Sequence, residues 1–161
     1  MKVKDMTRQE SMEVISSGHL AHLACCKGDR PYVVPIYYAL DGNCLYSFSI
    51  PGKKIEWLRD NPHACILVER FRDAQSWKSV VISGHYQELP DTGQWHQERI
   101  HAWSLLERHA NWWEPGGLKP VSQPAQSYHA HVFYRIDIED ITGRAATPGE
   151  PWGREARQLQ D

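Results

Sequence analysis

The stretch LYSFSIPGKKIEWLRDNP, residues 45–62, changes its periodicity halfway and thereby decides the fold around it. Residues 45–49 alternate apolar and polar side chains, which is typical of a strand with one face in a core. A proline and a glycine end this strand, after which Ile55 and Leu58 fall three apart, as on a short helix. The stretch therefore predicts a strand that turns directly into a helix.

The start of this predicted helix has the features of an anion site. The first backbone N–H groups of a helix lack partners within it, and they point outwards. Lys53 and Lys54 stand at this position, directly after Gly52, and add positive charge. A phosphate would fit there. The same residues are equally compatible with an ordinary corner that carries two solvated lysines.

The composition excludes several classes of protein. A chain of 161 residues with a net charge of -2 has the length of a single domain and lacks the basic face of a nucleic-acid binder. No apolar run is long enough to span a membrane, and the N-terminus lacks the apolar core of a signal peptide, so we expect a cytoplasmic protein. Its four cysteines lie in predicted strands without zinc-site spacing, which indicates buried thiols.

The rest of the chain predicts mostly strands. Thr7 and Glu10 have the spacing of a capping box and predict a short N-terminal helix, and a second helical region begins at Asp91. Runs rich in β-branched and aromatic residues predict strands at residues 19–26, 31–40, 45–49, 64–71, 77–89 and 129–138. The prediction is a mainly β (α+β) fold, a six-stranded antiparallel split β-barrel with flanking helices at residues 1–144, followed by a polar C-terminal tail at residues 145–161.

Glycines and prolines mark the irregular points of this fold. The Asp-Gly-Asn sequence at residues 41–43 predicts a tight hairpin, and Gly84 predicts a bulge or bend in the fifth strand. Pro35 cannot donate to a ladder, so it belongs at an edge or a bulge. Residues 114–126 are too rich in proline and glycine for regular structure. The helical region from Asp91 carries apolar residues along one face, namely Trp95, Ala102, Trp103, Leu106, Ala110 and Trp113.

Four segments, taken in order, resemble a known family. They are PIYYALDGNCLYSFSIPGKK at residues 35–54, LRDNP at 58–62, WKSVVISG at 77–84 and YRIDIEDITGR at 134–144. Together they are similar to the flavin-binding split-barrel superfamily related to pyridoxamine 5′-phosphate oxidase, nearest to its nitroimidazole-resistance-like branch. The resemblance covers about residues 8–144 and implies a homodimer that binds FMN in clefts between its subunits.

The resemblance also implies which residues hold the flavin. It implies ring contacts from the strand backbone at Pro35 and phosphate contacts from Lys53 and Lys54. The full set of implied cofactor-binding residues is Pro35, Ile36, Tyr37, Tyr46, Ser47, Lys53, Lys54, Trp77, Lys78, Ser79, Val80 and Arg144. From the residues alone, Trp77 is more typical of a core than of a ligand wall, and Ser79 is more typical of a strand hydroxyl. Tyr37 is compatible with a solvent-facing position, and Arg144 is as typical of a protein surface.

Two departures from the family pattern bear on function. Nitroimidazole-resistance proteins carry a histidine at the position of Ser47, which argues against a drug-reducing role. Pyridoxamine 5′-phosphate oxidases end with a tryptophan and a basic motif that hold the substrate phosphate, and the tail here has no clear counterpart. We therefore do not expect that substrate.

The histidines supply a second hypothesis. His19 and His22 fall on opposite faces of a strand, which argues against a shared metal. His129 and His131 share a face and are compatible with a metal or a haem propionate, although two half-exposed polar residues are the simpler interpretation. No Ser-His-Asp or Cys-His arrangement can be read from the sequence, so no catalytic residue is predicted.

The leading hypothesis is an FMN-dependent oxidoreductase that acts on a small planar or aromatic substrate, with a reduced nicotinamide as the electron source. In a flavoenzyme the cofactor carries the chemistry, so a missing general base is tolerable. The alternative is a flavin- or haem-binding protein without turnover. Seven tryptophans and seven tyrosines are many for one small barrel to bury, and we expect an obligate homodimer with FMN at its interface.

Overall fold

Eight strands and three α-helices make up the part of the chain that the structure describes. The computed structural model describes residues 1–108 and 131–149. The helices are α1 (Arg8–Ser16), α2 (Lys53–Asp60) and α3 (His96–Glu107), the last preceded by a 3₁₀ turn at Gly93–Trp95. The strands are β1 (Lys2–Asp5), β2 (Leu20–Lys27), β3 (Arg30–Tyr37), β4 (Ala39–Asp41), β5 (Cys44–Ser49), β6 (His63–Asp73), β7 (Ser76–Glu88) and β8 (Val132–Thr147).

All strands belong to one antiparallel sheet that curls on itself. Its order is β3-β2-β6-β7-β8-β5-β4, and β1 pairs with the second half of β8. The two ends of this order, β3 and β4, are separated in the chain by Tyr38 alone. The sheet must therefore bend round until its edges approach each other, and the Ser47 hydroxyl of β5 donates to the Tyr37 carbonyl of β3 at 2.6 Å. The predicted antiparallel split barrel is confirmed.

The side chains of the sheet alternate between a core and the surface. Leu23, Ile66, Ile82 and Ile136 are each 0 % exposed and come from four neighbouring strands. A second, smaller cluster lies between β5, β8 and α3, where Phe48 stacks on Phe133 with ring centroids 5.6 Å apart. The core therefore occupies the inside of the barrel and the space beneath α3.

Several predicted local features are confirmed. At the start of α1 the Thr7 hydroxyl accepts from the Glu10 N–H at 3.1 Å, and the Glu10 carboxylate accepts from the Thr7 N–H at 2.7 Å. Gly42 has a φ of 57° in the hairpin between β4 and β5, and the register of β7 against β8 shifts between Ser83 and Gly84. Among the described residues, no helix is long and apolar enough to cross a membrane.

Other expectations need correction. The sheet has eight strands instead of six, because β1 was not predicted and the segment 31–40 divides at Tyr38. β8 continues to Thr147, where Ala145 and Ala146 are buried between β7 and β1. Of the four cysteines only Cys25 is buried. The expectations for Ala110, Trp113, residues 114–126, His129 and residues 150–161 lie outside the described residues.

Candidate functional site

The predicted corner between β5 and α2 is present. Gly52 is the residue before the first turn of α2, and its carbonyl accepts from the Glu56 N–H at 3.0 Å. Within the described parts of the chain, no side chain caps this helix start, and no atom lies within 4 Å of the position that a Cβ on Gly52 would take. Ile55 and Leu58 are buried and hold the helix against the barrel. The corner is therefore open to an anion that approaches the backbone.

Two ammonium groups lie at this corner. The Lys53 Nζ is 4.7 Å from the ring centroids of both Tyr32 and Trp57. These rings are 5.6 Å apart, and at an exposed site each such contact is worth about 0.5–1 kcal/mol. Burial raises the pKa of the Cys25 thiol on β2, while the ammonium groups of Lys54 and Lys53 act in the opposite direction. Both ammonium groups are therefore close enough to β2 to influence the ionisation of Cys25.

Tyr32 and Trp57 are two residues of the site that the sequence analysis missed. Trp57 lies four residues after Lys53, which places the two on the same face of α2. That spacing was a usable signal in the sequence. Tyr32 lies on β3 and joins the pair only through the fold, so no local pattern could have indicated it.

The predicted residues on β3 lie at an edge of the strand order. Pro35 is exposed and pairs in register with His22 of β2, whereas Ile36 and Tyr37 are 2 and 3 % exposed. The Tyr37 carbonyl accepts from the Ser47 hydroxyl at 2.6 Å. Contacts from this strand to a flavin ring would therefore come from the backbone near Pro35. The side chains of Ile36 and Tyr37 are packed in the core.

The predicted residues on β5 also belong to the core. Ser47 is 1 % exposed and Tyr46 6 %. The Tyr46 hydroxyl donates to Oε1 of Glu98 on α3 at 3.1 Å, and burial raises the pKa of Tyr46 well above its usual range. These side chains hold the barrel together, and their contact with a flavin stays a prediction.

The structure divides the predicted residues on β7 between two clefts. Trp77 and Lys78 line one cleft of about 580 Å³, and Ser79 lines another of about 580 Å³ together with Arg144. Val80 is 0 % exposed and belongs to the core. Lys53 and Lys54 line neither cleft. The structure therefore joins Ser79 to Arg144 but does not join the β7 segment to the corner within one subunit.

Arg144 is not held in a strong interaction. Its Nε lies 3.4 Å from Oδ1 of Asp5, and the two side chains are 71 and 88 % exposed. Exposed ion pairs of this kind contribute little to stability. The guanidinium is therefore accessible to a ligand in the cleft that it shares with Ser79.

His131 is the histidine with an unusual environment. Its Nε2 is buried, and no hydrogen-bond partner for it lies among the described residues. Burial lowers the pKa of His131, and the Arg99 guanidinium lowers it further. Within residues 1–108 and 131–149, no three His, Cys, Asp or Glu side chains are grouped as metal ligands.

Known proteins are similar to this chain in sequence or in fold. An uncharacterized protein of Rhizobium meliloti (strain 1021) is 54% identical over 150 residues, which cover 93% of this chain and 99% of that protein. The crystal structure of an FAD-binding protein from Mesorhizobium loti is 46% identical, with a TM-score of 0.76, and the match covers 91% of this chain and 100% of the other. A candidate 5-nitroimidazole antibiotic resistance protein of Bacteroides thetaiotaomicron shares the fold at 21% identity, with a TM-score of 0.69 and coverage of 89% and 87%.

The family model described as pyridoxamine 5′-phosphate oxidase matches residues 7–145, most of the described chain. This range agrees with residues 8–144, over which the resemblance was recognised, and it includes α1, the corner before α2 and nearly all of β8. The predicted resemblance is confirmed. The chain belongs to the pyridoxamine 5′-phosphate oxidase family.

Proposed function

We propose that this protein binds a flavin through its phosphate at the corner before α2 and acts as a flavin-dependent oxidoreductase. The observation that carries the proposal is the pair Lys53 and Lys54 at an uncapped helix start, within a chain of this family. The open space at Gly52 and the two positive charges suit a phosphate dianion. The FAD-binding protein of Mesorhizobium loti, at 46% identity, supports a flavin in particular.

The residues of this chain would bind and orient the flavin, while the flavin itself supplies the redox chemistry. Lys53 and Lys54 would hold the phosphate together with the first backbone N–H groups of α2. The edge strand β3 would offer backbone groups near Pro35 to the ring, because β3 ends the strand order. A small planar or aromatic substrate would lie over the flavin, and a reduced nicotinamide would supply electrons.

The form of the flavin is a separate question within this proposal. We expect FMN, because the corner offers one compact set of donors for one phosphate. The relative from Mesorhizobium loti is named an FAD-binding protein, so FAD is the competing form. Extraction of the bound flavin from purified protein, followed by chromatography against both standards, decides between them.

The phosphate assignment predicts a strong effect of the two lysines. Lys53→Ala combined with Lys54→Ala should weaken FMN binding by at least about 100-fold, since each charge-assisted hydrogen bond is worth about 1.5–3 kcal/mol. Riboflavin, which lacks the phosphate, should bind the wild type and the variant alike. Titration followed by flavin fluorescence measures both affinities.

A control variant separates this effect from a general loss of charge. Lys2→Ala combined with Lys27→Ala removes two exposed lysines outside residues 52–54 and should leave FMN affinity unchanged. Lys27 pairs with Asp60 at the opposite end of α2 from the corner, at 2.9 Å. Full FMN affinity in the Lys53→Ala/Lys54→Ala variant would contradict the phosphate assignment and with it the proposed function.

His131 supports a second candidate function, a haem- or flavin-binding protein without turnover. Its lowered pKa keeps the imidazole neutral, as a haem ligand requires, and its buried Nε2 has no partner among the described residues. The absorption spectrum of purified protein distinguishes the two candidates, because haem gives a Soret band and flavin gives bands in the blue. A Soret band that persists in His131→Ala would exclude this residue as the ligand.

We also propose that the active protein is a homodimer with the flavin between its subunits. Leu20, Val33 and Val81 are 41, 58 and 37 % exposed, and all three project from the outward face of the sheet. Pairing two copies about a two-fold axis would bury this apolar face on both. The same pairing would bring the corner of one subunit towards the β7 segment of the other.

A further inference from the structure

Three cationic side chains lie in a single row across the sheet. Arg70 of β6 stands opposite Lys78 of β7, and both Lys78 and Lys4 of β1 stand opposite Ala145 of β8. Residues in register on neighbouring strands project from the same side of a sheet. One row across the sheet, here called the cationic row, therefore consists of Arg70, Lys78, Ala145 and Lys4.

The neighbouring row shows that this arrangement is not a general property of the sheet. One residue along each strand, the row consists of Glu69, Ser79, Arg144 and Asp5. Charges there alternate in sign, and Arg144 pairs with Asp5. Like charges directly opposite each other destabilise a sheet. The cationic row therefore has a stability cost that the adjacent row avoids.

The cationic row lines the cleft of about 580 Å³ that contains Trp77. Ala145 in the middle of the row has a small side chain, which leaves space between the cations. Arg72 adds a fourth positive charge to the lining, and Glu10 is its one carboxylate among the described residues. The cleft is therefore a concave surface with a clear excess of positive charge.

The single carboxylate is already engaged. Oε1 of Glu10 accepts from Nζ of Lys4 at 2.8 Å, and Oε2 accepts from the Thr7 N–H at 2.7 Å. Nη2 of Arg70 lies 3.3 Å from the Ser17 hydroxyl, which orients the guanidinium at the end of α1. Lys78 and Arg72 have no ion-pair partner within the described parts of the chain. At least two cations in the cleft therefore have no anionic partner among residues 1–108 and 131–149.

We propose that this cleft binds a small organic phosphate, with its phosphate or pyrophosphate group held by Lys78, Arg70 and Arg72. A multiply charged anion is needed to offset so many cations, and a guanidinium offers paired N–H donors to phosphate oxygens. Trp77 also lines the cleft, although it occupies the neighbouring register position and its side chain projects from the other side of the sheet. Within one subunit the site is separate from the corner before α2, because Lys53 and Lys54 do not line this cleft. Its identification with an electron-donor site rests on the proposed function.

Inorganic pyrophosphate is the first probe, titrated at constant ionic strength into ¹⁵N-labelled full-length protein and followed by NMR. We expect saturable shifts at the backbone amides of Arg70, Lys78 and Ala145. Lys78→Gln should weaken binding about tenfold, the effect of losing one charge-assisted hydrogen bond. The control Lys27→Gln removes an exposed lysine on β2, whose ammonium pairs with Asp60 outside the cleft, and this variant should bind pyrophosphate as the wild type does.

Two further measurements keep the proposal independent of folding and of the corner. Lys78→Gln should keep or raise the melting temperature, because it removes a repulsion from the row. The Lys53→Ala/Lys54→Ala variant should bind pyrophosphate as the wild type does. Shifts confined to residues 52–54, or undiminished binding to Lys78→Gln, would overturn the proposal, as would the absence of any saturable shift.

The source of the phosphate is settled by two additional ligands. A reduced nicotinamide dinucleotide that binds more tightly than pyrophosphate would identify the electron donor as the occupant. Ribose 5-phosphate that binds more tightly than the dinucleotide would identify a phosphorylated small molecule instead. Both results support an organic phosphate site, and Lys78→Gln must weaken either one.

Discussion

At Gly84, β7 leaves no room for a side chain. A Cβ at this position would lie 2.6 Å from the Asp137 carbonyl oxygen and 2.6 Å from Cγ2 of Ile136, both on β8. A backbone carbonyl in a paired strand cannot move aside as the end of a flexible side chain can. The glycine therefore permits the close approach of β8 at the point where the register shifts.

We predict that Gly84→Ala lowers the free energy of unfolding by about 1–3 kcal/mol, the usual cost of overpacking. Urea unfolding followed by far-UV circular dichroism measures the change. Gly52→Ala is the matched control, because no atom lies within 4 Å of its Cβ position, and its effect on stability should stay within about 0.5 kcal/mol. Equal losses in both variants would show that local space is not the cause.

At the scale of single elements, α3 is attached by polar contacts as much as by apolar ones. Only Ala102 and Leu106 of this helix are buried. Glu98 accepts from the Tyr46 hydroxyl and from the Arg135 guanidinium, and its side chain is 22 % exposed. The Arg135 guanidinium also lies over the Trp95 ring, 5.6 Å from its centroid. Glu98 therefore links α3 to both β5 and β8.

We predict that Glu98→Ala loosens α3 without opening the barrel. Removing one partner leaves Arg135 half-buried without this acceptor, which should lower the free energy of unfolding by about 1–3 kcal/mol. Hydrogen exchange should become faster in α3, while the amides of β6 and β7 keep their protection. Glu107→Ala, at the exposed end of the same helix, should leave the exchange of α3 unchanged, and equally fast exchange there would contradict the role of Glu98.

The elements that sequence reasoning found are those with a face in the core. The strand 45–49 and the helix after Gly52 were predicted because their apolar residues repeat with the period of the element. The corner with Lys53 and Lys54 lies where the strand period ends and the helix period begins, so its place in the fold was predictable from the sequence. Tyr32 completes the surroundings of Lys53 from a different strand, and a contact between distant segments leaves no local pattern.

The elements that were missed have no such face. Every residue of β1 is exposed, so its sequence has no apolar period, and the strand exists because its backbone pairs with β8. The second half of β8 contains Gly143, Ala145 and Ala146, small residues that are buried there. Ala145 and Ala146 were predicted to begin the polar C-terminal tail, because small residues among polar ones show no apolar period. The interruption at Tyr38 involves neither a glycine nor a proline, so the sequence carries no local signal for it.

At the scale of the whole molecule, the number of aromatic residues is not what supports a dimer. The tyrosines at positions 37 and 38 are 3 and 0 % exposed, and Trp95 and Trp103 pack against the cluster beneath α3. One subunit therefore buries these aromatic residues by itself. The surface that supports a dimer is instead the group of exposed aliphatic side chains on the outward face of the sheet, namely Leu20, Val33 and Val81.

We predict that Val33→Lys converts the dimer into monomers, because it places a charge in the centre of the proposed interface. Ile100→Lys, a similar change at a residue of α3 that is 49 % exposed, should leave the dimer intact. Light scattering over a dilution series measures both, and added FMN should shift the wild type towards the dimer. A wild-type monomer that binds FMN stoichiometrically at every concentration would contradict a shared site.

The position of β8 in the sheet has a consequence for how the protein is made. β8 is the last described element in the chain, yet it lies between β7 and β5 and also carries β1. While the ribosome is still adding these residues, β5 has only β4 to pair with and β1 has no partner strand among the described ones. The barrel can close only after β8 has been synthesised, because its central pairings join residues distant in sequence. Until then β8 covers neither β5 nor β7, and their unpaired edges expose the nascent chain to aggregation.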